Sequence, residues 1–497
     1  METALKKDIY EQLTLVWSGS AGRETSEDCV VPDTMPDIGT VVDAEGVVTL
    51  RSKETETGYV QLAASVSVTV MYVPEEGGVM RSLEMTLPAD IRMDAPAADP
   101  ECRTVARMRV RSIDARAVNS RKLSVRAELE AEAQCYRREN REMAASLEDE
   151  TAPAHLLTGS LEAMAISDVR EKTFVVTDEY QLPPGCGAQS ILSRRADAVV
   201  EDVKFVSGKV IFRGRVRTEL VFSTGEEGSV FSGRYETEFS QIMEVDAESA
   251  ETLPTVALAL TGAYFDLPEY DQSSGRVSAE LHYAAQCVCR EKREMRYIAD
   301  VYSNRTLLVP KVENICLECA ARTVTMRQTV AGRAEPFTGE GEVLSVSACV
   351  GGVSVEEDGV KTSVNIRVIS RRRDGEYTSA RCRLSAEFAA AELPEGAKLQ
   401  DITVTVTDAY CTGADVRATL QMDALAVTEQ TAACVTELEE DAEGWLTQPQ
   451  MPSATLIWVP EGADMWPIAR QYHSTVEAIA AANDGRMGGL LLIPKGR

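Results

Sequence analysis

Aromatic side chains make up only 5% of this 497-residue chain, and it has three histidines. With so few rings, Val, Leu, Ile and Ala must fill the cores, and Val-rich alternating sequence favours strands over helices. The histidines, His155, His282 and His473, sit beside no serine or cysteine signature, which leaves a nucleophilic site without a base. No GxxxxGK[ST] occurs, and no GxGxxG follows a strand, so a phosphate-cradling loop is missing. The nearest glycine pairs, Gly77-Gly78 and Gly351-Gly352, belong to turns. Among 79 Asp and Glu residues no pair stands out as an acid–base couple. Of twelve cysteines only Cys316 and Cys319 form a CxxC, with no second pair to complete a zinc site. These absences predict no catalytic residue, no metal and no cofactor, and a protein that is not an enzyme. No run approaches the roughly 18 apolar residues that span a bilayer, and METALKKDIYEQLTLVW has no apolar leader region. The expectation is a chain that stays in the cytosol with its cysteines reduced.

Charge is present in excess. The formal net charge of −28 repels phosphate backbones and anionic membrane surfaces, which argues against nucleic acid and against membrane insertion. It keeps the chain soluble and suits basic partners.

The length implies several domains, and the chain repeats itself. From Val60 to Tyr72 the even positions are Val60, Leu62, Ala64, Val66, Val68, Val70 and Tyr72, and the odd positions include Gln61, Ser65, Ser67 and Thr69. That alternation predicts a long half-buried strand, followed by a turn at 74–78. The pattern returns 150 residues later with Val210, Phe212, Gly214, Val216, Leu220 and Phe222, before a turn at 225–228. A third version runs through Val364, Ile366 and Val368, with its turn at Asp374-Gly375. A second strand repeats better still: AELEAEAQC at 127–135 and AELHYAAQC at 279–287, an offset of 152. Its third copy is Ala418, Leu420, Met422, Ala424 and Ala426. Such a period far exceeds the ~20–50 residues of solenoid repeats. It predicts a mainly β chain of three tandem β-rich domains, at 1–150, 155–303 and 304–436. The Pro and Gly around 151–164 fit a connection, and Leu156, Leu157, Leu161 and Met164 have the spacing of a short helix. The acidic stretch at 437–453 reads as an extended linker.

The last residues differ in kind. Three of the four tryptophans, Trp445, Trp458 and Trp466, fall there, and from residue 454 onward acids and bases balance. Thr455–Val459 is a strand candidate. Met465, Ile468, Ala469 and Tyr472 recur at helical spacing after a Gly462–Asp464 turn. Ser474 can cap a second helix with Glu477 three residues on. Leu490–Ile493 closes the unit before Pro494. Trp458 and Trp466 read as core or half-buried anchors, with an edge of Trp466 available for contact.

This βααβ pattern at 454–497 resembles the LysM domain. Gly462, Met465, Trp466, Ile468, Ala469, Tyr472, Asn483, Leu492, Ile493 and Pro494 match its motif. Ala463 stands where that family usually has Asp, and the stretch from Asn483 to Gly489 is shorter than usual. The resemblance implies a groove for N-acetylglucosamine polymers formed by Gly462, Ala463, Asp464, Met465, Trp466, Asn483, Gly488 and Gly489. Tandem β-rich repeats with VPDTMPDIGTVV leading into the long strand that ends at Met71-Tyr72, followed by LysM, are similar to SipL-type spore-coat morphogenetic proteins, whose repeats are SPOCS domains. That resemblance implies a mother-cell protein at the forespore surface. It would be a non-enzymatic scaffold whose LysM contacts the coat basement-layer ATPase. The alternative is a cell-wall glycan-binding protein.

Overall fold

The alternation read from the sequence is the alternation of burial. Every even residue from Val60 to Tyr72 is at most 1% exposed, whereas Gln61, Ser65 and Ser67 are half-buried. The computed structural model describes residues 4–149, 154–183, 187–224, 230–267, 275–335, 337, 339–356, 359–389, 396–441 and 452–495. Most of these lie in strands, arranged in several antiparallel sheets.

One strand order recurs three times. In the first group, β1 (Leu5–Val30) pairs along its length with β7 (Lys122–Leu147), and β6 (Arg103–Asn119) lies on the other side of β7. Between them in sequence, β2 (Ile38–Glu56), β3 (Tyr59–Pro74) and β4 (Arg81–Pro88) form a second sheet, with β5 (Ile91–Asp94) also on β3. In the second group the long pair is β8 (Ala154–Gln181) with β13 (Arg276–Ser303), flanked by β12 (Leu253–Asp266). Its second sheet is β9 (Ala188–Val206), β10 (Lys209–Thr224) and β11 (Val230–Glu244). The third group repeats the scheme. Its long pair is β14 (Leu307–Arg333) and β19 (Asp415–Asp441), with β18 (Lys398–Thr412) beside β19. Its second sheet is β15 (Glu342–Glu356), β16 (Gly359–Arg371) and β17 (Tyr377–Ala389). Within each group the second sheet packs its apolar face on the long pair. Leu62 and Val66 share a core with Val125 and Leu129, Phe212 with Leu281 and Tyr283, and Val364 with Leu420 and Met422. Each such side chain contributes roughly 1.5–3 kcal/mol by leaving water.

The stretch around Leu156–Met164 is not a helix; it is the first half of β8. Its backbone is hydrogen-bonded residue by residue to β13, from Ala154 opposite Ser303 to Met164 opposite Lys292. Leu161 and Ala163 point into a cluster with Met143 and Met295, at the two-residue period of a strand. The expected linker also starts later than its acidity suggested. Glu437–Asp441 extend β19 opposite Leu307–Lys311, with Lys311 3.2 Å from Glu437. Residues 442–451 lie outside the described residues, as does the expected turn at 225–228.

The three groups share one centre. Val42, Leu192 and Leu344, at corresponding places in β2, β9 and β15, meet in a single apolar cluster with Met71, Val221 and Ile369 from β3, β10 and β16. Met80, Val230 and Tyr377 complete it. Corresponding positions meeting at one point set the groups around a common axis. Beside that cluster, buried Asp43 of the first group holds Arg367 (2.9 Å) and Arg381 (3.1 Å) of the third, while Ser82 donates to the carbonyl of Ile191 in the second (3.2 Å). Farther along, Arg290, 1% exposed, pairs with Asp401 across the second and third groups at 3.1 Å. The last elements of the chain sit against the end of β13.

Candidate functional site: the C-terminal module

After residue 451 the chain forms β20 (Ala454–Val459), α1 (Met465–Gln471), α2 (Val476–Ala482) and β21 (Gly489–Pro494), with β20 and β21 antiparallel. Their inward residues, Val459, Leu491 and Ile493, pack on Met465, Ala469 and Ile479 of the helices. Asp464 caps α1, its Oδ1 accepting the Trp466 amide at 3.0 Å. The cap of α2 is Thr475, whose hydroxyl accepts the Ala478 amide at 2.9 Å. Ser474, expected there, is fully buried because it closes α1 instead: its amide donates to the Ala469 carbonyl at 2.8 Å.

The two loops of the expected groove do come together. A Cβ on Gly488 would lie 3.0 Å from the Glu461 Cα, so the 488–489 turn abuts the turn that enters Gly462. Gly462 and Gly489 have φ of +79° and +85°, which suits glycine. Gly462 and Asp464 are exposed, and Ala463, Gly488 and Gly489 are half-buried. The other three residues have different work. Met465 is buried in the small core. Asn483 is 5% exposed and acts as a bracket: its Nδ2 donates to the carbonyls of Ile479 (2.8 Å) and Leu492 (2.7 Å), and its Oδ1 accepts the Leu492 amide at 2.8 Å. It ties the end of α2 to β21.

Trp466 is turned to the body of the protein rather than left free at the rim. Its ring packs edge-on against Tyr302 of β13, with centroids 4.9 Å apart, and its Nε1 donates to Asp300 at 2.7 Å. Arg470 reaches the same carboxylate at 2.8 Å. The Tyr302 hydroxyl donates to the Ser474 carbonyl at 2.8 Å. Burial, helped by Glu477 and Asp300, pushes that phenol up to about 12. The module is therefore seated on Asp300 and Tyr302, near the end of strand β13.

Sequence reading missed the outer face of this small sheet. Trp458, expected as an anchor, is 72% exposed, with Leu490 opposite it at 65%. Leu456 and Leu492 form the neighbouring cross-strand pair at 63% and 38%. The cause is geometric: a two-stranded sheet covered by helices on one side can bury only alternate residues. The signal was available, because both strands are apolar at odd and even positions alike, and a strand covered on one face normally alternates with polar residues.

His155 bonds to Asn304 at 3.1 Å and lies against Tyr302, and burial pulls its pKa down. His282 pairs with exposed Glu280, and burial also lowers His473. Cys316 is exposed and bonds to Glu429. Among the described residues no group of three His, Cys, Asp or Glu could hold a metal, and no helix is long and apolar enough to cross a membrane.

None of the curated proteins and none of the solved structures matches the chain. Residues 188–260, which carry β9, β10, β11 and half of β12, match the family described as SipL, SPOCS domain, a likeness that supports a SipL-like, sporulation-related kinship for this segment.

Proposed function

We propose that this chain is a non-enzymatic assembly protein of the spore coat. In this reading 1–150, 155–303 and 304–436 are SPOCS-like repeats, and 454–497 is a LysM-like module that recruits a coat basement-layer protein in the mother cell. The family match supports the sporulation role. It falls on the second strand group, and the same strand order before and after it supports reading its neighbours as further copies.

The observation that carries recruitment is the exposed face of Leu456, Trp458, Leu490 and Leu492. A contiguous apolar patch headed by tryptophan is the usual core of a protein contact, since Trp supplies large, rigid area and water leaves it readily. The module carries no net charge, so it accepts a protein surface that the acidic remainder would only steer. Full-length protein with Trp458→Ala should bind the basement-layer protein roughly thirtyfold more weakly, at unchanged circular dichroism, because the side chain supports no core. Unchanged affinity in a folded Trp458→Glu variant would remove this face from consideration. Retention on peptidoglycan without capture of the protein partner would favour the glycan reading instead.

A further inference from the structure

The small sheet of β20 and β21 has two outer edges, and they differ. The edge of β21 is closed by Asn483. The Leu492 amide donates to the Asn483 Oδ1 at 2.8 Å, and the Leu492 carbonyl accepts the Asn483 Nδ2 at 2.7 Å, so both main-chain groups of Leu492 point away from β20. In an antiparallel ladder two residues directly opposite each other exchange both main-chain bonds or neither. Leu456 is opposite Leu492, so the amide and carbonyl of Leu456 also point out of the sheet, along the far edge of β20. By the two-residue period the same holds for Ala454 and Trp458. Among the described residues no group bonds to these outward amides and carbonyls, and all three residues are exposed. The edge also lacks the features that commonly block strand pairing. β20 reads ATLIWV, without charge or proline, and its register on β21 is unbroken. The body's edge strand β14, by contrast, carries Lys311, Glu313, Arg322 and Arg327, and a bulge between Glu318 and Ala320.

We propose that β20 takes up an extended segment of a partner protein as a third strand, one with apolar residues at alternate positions and basic residues at its ends. The inference rests on the reading of this face as the recruiting surface and adds how the partner is held. Main-chain bonds to Ala454, Leu456 and Trp458 fix the added strand, and its side chains opposite these residues lie beside Leu456 and Trp458 on the exposed apolar face. Charge selects the occupant. From residue 454 onward acids and bases balance, so the net −28 belongs to the rest of the chain. The module is seated at the end of the body where Glu437, Glu439, Glu440 and Asp441 are exposed, because Asp441 is opposite Leu307, where β14 begins just after β13 ends. A second copy of the chain brings the same negative charge and is repelled, whereas a basic segment is attracted.

The test uses the full chain and a synthetic peptide of alternating valine and threonine flanked by lysine pairs. Amide exchange should slow at Leu456 and Trp458 when the peptide is bound, with little change at Ile457, whose amide already serves the ladder with β21. Glutamate pairs in place of the lysines should weaken binding by at least about tenfold at low salt, and the difference should shrink as salt rises. Leu456→Pro removes an outward donor while leaving the bonds to β21 in place. It should weaken binding at least about tenfold more than Leu456→Ala, which keeps that donor. If Leu456→Pro fails to fold, amide exchange in the parent decides. The proposal is overturned if the lysine-flanked peptide leaves the Leu456 and Trp458 amides unprotected, or if folded Leu456→Pro binds as Leu456→Ala does. If either happens while Trp458→Ala still loses the basement-layer protein, strand addition falls and the recruiting face stands. If Trp458→Ala keeps that protein, the recruiting reading itself falls.

Discussion

Asp168 shows how much one carboxylate can hold. It is 1% exposed on β8, takes the amide of Asp246 at 2.8 Å and the Arg170 guanidinium at 2.7 Å, and is paired with Arg103 of the first strand group. Burial works against its charge, but the Asp246 amide and the two guanidiniums outweigh it and keep the carboxyl below its ordinary value. A lowered folded-state pKa stabilises at pH above the unfolded value of about 4, and that contribution is lost as pH falls through the folded value. Asp168→Asn should therefore lower the urea midpoint clearly at about pH 7, and the gap to the parent should narrow by about pH 3. An equal gap at both values would mean that packing, not charge, is what the residue supplies. Nothing in the sequence singles it out among 79 acids. Its partners come from residues 65 positions before and 78 after it, and only the fold brings them together.

At the scale of the element, β10 shows the limit of a repeat. Its inward face follows the alternation of β3, but Gly214 stands where β3 has Ala64. The reason lies on the neighbouring strand. Gly214 is opposite Phe239 in β11, and a Cβ there would sit 2.0 Å from the Val199 carbonyl oxygen and 2.7 Å from the Phe239 ring. In the first group Ala64 faces Ala89, whose amide donates to its carbonyl at 3.0 Å, so a methyl fits. Gly214→Ala should destabilise the protein by about 3 kcal/mol, the upper range for overpacking, because the closest neighbour is backbone and cannot swing aside. Urea unfolding followed by circular dichroism measures this, and a change below roughly 1 kcal/mol would show that β9 yields at little cost. The strand itself was legible from period two. The glycine was not, because it answers to a ring on another strand.

For the whole molecule, the attachment of the module is the part most open to a single change. Asp300 is the acceptor for both Trp466 and Arg470. Asp300→Ala should leave the β-rich body intact and loosen residues 454–495 from it. Amide exchange across α1 should quicken, and tryptophan emission should shift to the red as the Trp466 ring leaves Tyr302. Unaltered exchange in this segment would show that the Tyr302 contacts suffice. The sequence placed Trp466 at a rim facing a partner, since nothing local indicated that β13, ending some 160 residues earlier, supplies its bed.

The sequence by itself determined the recurring strands β3, β10 and β16, and β7, β13 and β19, and the separate character of the last residues. Those features follow from backbone geometry, in which side chains alternate along any strand, and from a pattern repeated at fixed spacing. It also located the Gly462 and Gly488 turns that abut. The tertiary structure alone decided which faces meet. It gathered Val42, Leu192 and Leu344 on one axis, put Trp458 in water and set Trp466 against Tyr302. Alternation says that a strand has an apolar face, but what covers that face depends on how strands distant in the chain pack, and no local pattern carries that information.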